Sequence, residues 1–175
     1  IDVSASSGDT FLLHAWVSAD GGAAGAVDFR VTNLVAADDG GVQVVGTATN
    51  DNFRFVADSM LRCTINDVTY QFARTRASRV TFDGRGGTDR ASLFGSSGSD
   101  SVVVRPGSIE LSGTGYWVRT SNVEIGVVDG RGGADSATVY ASDTGDRLLG
   151  IGQSLLVSDS SASVTLRRFK RVRAV

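Results

Sequence analysis

Four aspartates set in glycine-rich turns are, by type and spacing, the residues of this chain best placed to do chemistry. Asp83 and Asp89 bracket DGRGGTD, and Asp129 and Asp135 bracket DGRGGAD 46 residues further on. Turns this rich in oxygen suggest Ca2+, which takes roughly six to eight oxygen ligands, and the two turns could share an ion if folding stacked them. A phosphate cradle fits less well, because neither turn has the lysine and Ser/Thr of a P-loop or opens a helix. The reading favoured here is conformational: each Asp caps its own turn while the glycines supply positive φ. The turns also depart from the calcium nonapeptide G-G-x-G-x-D-x-U-x. Arg85 and Arg131 replace its second glycine, Ala91 and Ala137 replace its large apolar residue, and successive turns are not adjacent.

Other chemistries have weaker footing. GYWVRT gathers Tyr116, Trp117 and Arg119. Strand alternation puts Tyr116 with Val118 on one face and Trp117 with Arg119 on the other, where an exposed indole could stack on a sugar. A catalytic reading would draw on Asp58, Arg62, Asp67, Arg74, Arg76 and Arg79. The acids mostly fall at repeat-equivalent turns, however, rather than in one singular cluster, so no catalytic residue is assigned. The single histidine, His14, lies in FLLHAWV and suits a packed strand better than a Ser-His-Asp arrangement. Cys63, the single cysteine, excludes an internal disulfide and reads as a buried inert thiol. One His and one Cys leave no ordinary zinc ligand set.

The elements that must position these residues repeat. Besides DGRGG, an Asp recurs before an apolar alternating run at Asp9, Asp51, Asp100 and Asp146. This gives four copies, approximately 1–42, 43–87, 88–133 and 134–175, within one elongated domain. The 22 glycines, one proline and 7% aromatics favour short strands joined by Gly and Asx turns. The expected fold is all-β, a parallel β-helix (β-solenoid) of about four repeats, each divided into two three-sided rungs of about 23 residues. A β-sandwich is the alternative.

A net charge of −2 and a pI near 5.3 argue against nucleic-acid binding. No apolar run is long enough to span a membrane, and no signal-type segment is visible. The chain does not begin with methionine, which suggests a processed or excised segment.

The wording of Gly86–Val102 and Pro106–Tyr116 resembles the long repeats of large secreted and surface proteins of planctomycete-type bacteria, which are loosely similar to RTX-like haemolysin repeats. That resemblance implies an extracellular or cell-surface location and a structural, adhesive or filament-like role. It carries over no catalytic residues. The resulting expectation is a non-enzymatic structural module without a cofactor. Its alternatives are a carbohydrate-binding or polysaccharide-cleaving β-helix and a Ca2+-stabilised RTX-like module. A solenoid end needs a cap, a charged edge or a neighbour. Arg167, Arg168, Lys170, Arg171 and Arg173 crowd the last strand, and Asp2 and Asp9 mark the other end. Either end-to-end self-association through these charges or a place in a longer array of repeats is therefore expected.

Overall fold

The computed structural model describes residues 34–38, 40–141 and 145–175. Asp2, Asp9, His14 and most of the first repeat lie outside the described residues. The described chain contains strands and turns and no helix. In order the strands are β1 (Val35–Asp38), β2 (Gly40–Val45), β3 (Asn52–Ala57), β4 (Met60–Ile65), β5 (Val68–Ala73), β6 (Ala77–Asp83), β7 (Arg90–Phe94) and β8 (Ser101–Arg105). They continue with β9 (Ser108–Gly113), β10 (Tyr116–Ser121), β11 (Ile125–Asp129), β12 (Ser136–Val139), β13 (Arg147–Ile151), β14 (Ser154–Ser158), β15 (Ser163–Arg167) and β16 (Arg171–Ala174).

These strands stack as the coils of a β-solenoid, but the coils have two sides rather than three. One eight-stranded sheet runs β1-β2-β6-β10-β9-β8-β12-β16, and the other runs β13-β14-β15-β11-β7-β3-β4-β5. Parallel pairs carry the coil, for example β2 on β6, β3 on β7 and β8 on β12. Each repeat also contains an antiparallel meander: β3-β4-β5, β8-β9-β10 or β13-β14-β15. The expected 23-residue rung is therefore corrected, since stacked positions are 38 or 35 residues apart. A coil holds four strands and a repeat holds five, so successive repeats place their meanders on opposite sheets. This is why the 46-residue wording does not measure the coil.

The meanders are marked by hairpin turns with a local cause. Asn66 and Asp67 take φ of 47° and 70°, the left-handed pair of a type I′ turn. Pro106-Gly107 turns β8 into β9, with Gly107 at φ 70°.

Alternation then divides each strand between core and water. β4 buries Leu61, Cys63 and Ile65, and β8 buries Val102 and Val104. These side chains join one core between the sheets, where Phe53 stacks on Phe82 with centroids 4.5 Å apart. Phe55 packs against Tyr116 at 5.7 Å. Cys63 is fully covered, and burial pushes its thiol up to about 12, so it stays protonated and inert at neutral pH.

Candidate functional site

The acidic turns occupy opposite ends of β7. At its start the turn 84–89 stacks on 46–51, with Gly46 N–H donating to Asp83 O at 2.7 Å. At its end 130–135 stacks on 95–100, with Gly95 N–H donating to Asp129 O at 2.9 Å. Asp83 and Asp89 are thereby separated from Asp129 and Asp135, and the four do not converge. Among the described residues, no three His, Cys, Asp or Glu side chains are grouped to hold a metal ion.

The geometry shows where these carboxylates are engaged. Asp83 Oδ1 accepts the Arg85 N–H at 3.1 Å, and Asp129 Oδ1 accepts the Arg131 N–H at 2.9 Å, each an Asx cap. Both arginines sit in the left-handed region, with φ of 68° and 64°. Gly87 and Gly133 follow at φ 112° and 102°. A Cβ on Gly87 would stand 2.6 Å from the Thr49 carbonyl carbon, and one on Gly133 would collide with the Gly98 carbonyl. DGRGG is thus spelled by a cap, a left-handed residue and a backbone-to-backbone approach.

The second aspartate of each turn is a rung in a ladder. Asp51 N–H donates to Asp89 Oδ1, and Asp100 N–H to Asp135 Oδ1, both at 2.8 Å. Asp89 N–H in turn donates to Glu124 Oε2 at 2.7 Å. Asp100 is further held by Ser96 and by the Tyr116 hydroxyl, which donates to its Oδ1 at 2.8 Å. The Oδ2 atoms of Asp89 and Asp135 are buried without a hydrogen-bond partner, each pressed against a glycine, Gly84 and Gly130. Burial accordingly raises both carboxyls above the ordinary range, chiefly by desolvation. This Gly-x4-Asp pattern recurs at Gly46/Asp51, Gly84/Asp89, Gly95/Asp100 and Gly130/Asp135. It is legible in the sequence, though DGRGG draws attention away from it.

The aromatic cluster divides as alternation requires. Tyr116 is buried, while Trp117 and Arg119 face outward from β10. The Arg79 guanidinium lies 4.8 Å from the Trp117 ring centroid and so occupies an indole face that a sugar would need. Arg119 and Arg105 approach Glu110 at 3.8 and 4.0 Å, and Arg105 also stacks on Tyr140.

Of the residues weighed for catalysis, Asp58 and Arg74 line a groove of about 350 Å³ together with Ser59, Ser96, Ser97 and Arg131, and Arg62 reaches it only through Asp58. Asp58 bridges Arg62 and Arg131 at 2.6 Å each. The Arg131 hydrogen bond is the largest influence lowering its carboxyl. Arg74 is spent on the carbonyls of Asp58 and Thr114. Asp67 and Arg76 lie in separate turns, and Arg79 lies on the sheet. Arg131 crosses neighbouring coils to reach Asp58, so the groove reads as a strut between coils.

The basic residues near the last strand are also partly committed. Arg168 donates to Asp129 at 2.6 Å and pairs with it at 2.5 Å. Arg171 and Arg173 extend from β16 and are exposed, as are Arg167 and Lys170.

Composition and charge do not reveal the feature beside them. The hairpin β13-β14 is apolar on both faces: Leu148, Leu149 and Ile151 are 46%, 53% and 68% exposed. Leu149 pairs with Leu156 on the outward side. Elsewhere the outer positions of this sheet hold residues such as Arg54, Ser92 and Thr165, so the exposed apolar side chains of this hairpin set it apart from the rest of the sheet. The signal was present in RLLGIGQSLLVS, where apolar residues fall on both parities of the strands.

No helix among the described residues is long and apolar enough to cross a membrane. Comparisons with protein-family models, curated proteins and solved structures found no match.

Proposed function

We propose that this chain is a non-enzymatic structural module, a segment of stacked coils that joins further coils or copies through the end carrying β13 and β16. The observation that carries this reading is the exposed, two-faced apolar hairpin β13-β14 at that end. Transferring such area out of water contributes roughly 25 cal/mol per Å². The resemblance to surface-protein repeats supports an extracellular or cell-surface setting and an adhesive or filamentous role. The carboxylates support it as well, since the ladder that fixes turn to turn engages Asp51, Asp89, Asp100 and Asp135.

The proposal shifts the expected contact from charge to apolar area. Sedimentation velocity across a wide concentration range should show association that persists at high salt, because salt screens charges but does not weaken apolar burial. Leu148→Glu and Ile151→Glu should each reduce it. A strict monomer at every concentration, in both salts, contradicts the proposal.

A second reading, binding of an acidic glycan, draws on one observation. The outer face around β10 carries Arg79, Arg105 and Arg119, with Glu110 the carboxylate close to two of them among the described residues. Affinity for a carboxylated or sulfated polysaccharide that falls with Arg119→Ala and rising salt would favour it, and no affinity at low salt would exclude it.

A further inference from the structure

Strands β3, β8 and β13 open the three described meanders and hold one place in the repeat, each preceded by an aspartate: Asp51, Asp100 and Asp146. On its far side β3 carries β7, with Asn52 opposite Arg90, and β8 carries β12, with Ser101 opposite Ser136. Both pairings are parallel, and the incoming strand arrives through a DGRGG turn. Among the described residues, β13 is paired on one side only, by β14.

The approach to β13 repeats the earlier seating. Gly46 N–H donates to Asp83 O, Gly95 N–H to Asp129 O, and Ala141 N–H to Val175 O at 3.1 Å. Val175 thus holds the position from which the two DGRGG turns depart. The side chains facing the core tell the same story. Phe53 and Val102, under β7 and β12, are fully covered, whereas their equivalent Leu148 is 46% exposed. The incoming strands present Ala91 and Leu93, or Ala137 and Val139, toward the core. Opposite the larger of these, the seat on β13 offers Gly150, and a Cβ built there meets nothing within 4 Å. The open edge therefore has the register, the apolar floor and the room for one such strand.

We propose that the outer edge of β13 is a strand-accepting site. Its occupant is a strand of a further repeat of this type, entering parallel through a glycine-rich turn with its first residue opposite Arg147. The proposal rests on the stacking module proposed above and names its partner. Edge-strand addition supplies affinity through main-chain hydrogen bonds and specificity through alternate side chains.

The test carries Val175→Asp, extends the full chain from that position with a second copy of Gly130–Ala141, and compares it with the same extension scrambled. The native-order extension should raise the Tm by at least about 4 °C over the scrambled one and slow amide exchange along β13. Leu148→Glu, in a position already half exposed, should remove that gain while leaving the unextended chain folded. Equal Tm and equal β13 exchange in the two extensions overturns the strand site. That result is separable from failure of the stacking reading, which is decided by sedimentation of the unextended chain.

Discussion

Strands β8 and β13 occupy the same place in successive repeats, but their surroundings differ. β8 lies between β9 and β12, and its Val102 is fully covered; β13 has β14 alone beside it among the described residues, and its Leu148 is 46% exposed. What lies against the preceding turns differs in the same sense. Gly133, in the turn stacked on 95–100, leaves no space for a Cβ, whereas Gly145, before β13, meets nothing within 4 Å. The same place in the repeat is thus covered in β8 and half exposed in β13. Position along the stack, rather than local wording, decides how much each residue stabilises.

The largest expected effect separates the two strands directly. Val102→Asp buries an unpaired carboxylate and should cost about 4 kcal/mol or more, whereas Leu148→Asp should cost under about 1 kcal/mol. Urea unfolding of both variants measures the difference, and similar costs would break the comparison. Next come the turns. Gly133→Val should cost about 2–4 kcal/mol, from strain at φ 102° and collision with the Gly98 backbone. Gly145→Val, with φ 80° and open space, should cost only about 1–2 kcal/mol of strain. Tyr116→Phe removes one donor from Asp100 but leaves those from Ser96, and should cost about 1–2 kcal/mol by thermal unfolding.

The smallest effect compares the two edges of the stack. Asp89 neighbours Glu124, which raises its carboxyl further, and Asp135 neighbours Lys170, which opposes its rise. A carboxyl raised in the folded state is held more comfortably when protonated. Its contribution to stability is therefore greatest below the unfolded value of 3.8 and declines as pH rises from there through the raised folded value. Asp58 and Asp159, lowered in the folded state, act oppositely, and their contribution is lost as pH falls below 3.8. Glu124→Gln should bring the Asp89 titration closer to the ordinary range and leave that of Asp135 unchanged, as read by carboxyl NMR shifts. Equal movement of both would undo the distinction between the edges.

Much of this was legible in the residues. The 46-residue wording, the positive φ of Gly87 and Gly133, the buried Cys63 and the split of Tyr116 from Trp117 all follow from turn chemistry and period-two alternation. The two-sheet coil was not legible, because a repeat of five strands does not divide into coils of four. Asn66-Asp67 and Pro106-Gly107 are two-residue hairpin signals that do announce the meanders. The site was less legible than the fold. Of the four carboxylates weighed as ligands, Asp83 and Asp129 cap their own turns, as the favoured reading has it, while Asp89 and Asp135 form turn-to-turn rungs, and Arg168, read as a docking charge, is paired with Asp129. The exposed apolar face of the β13-β14 hairpin is not legible in the sequence because Leu and Ile in a strand read as core until the neighbouring strand is known.

The central claim, that β13 is an open edge waiting for a partner strand while β8 is complete, is tested most directly by amide exchange at two protein concentrations. In dilute solution β13 amides should exchange far faster than those of β8, and at high concentration they should slow as copies meet. If β13 is as protected as β8 when dilute, and unchanged when concentrated, the edge is already closed and the account is contradicted.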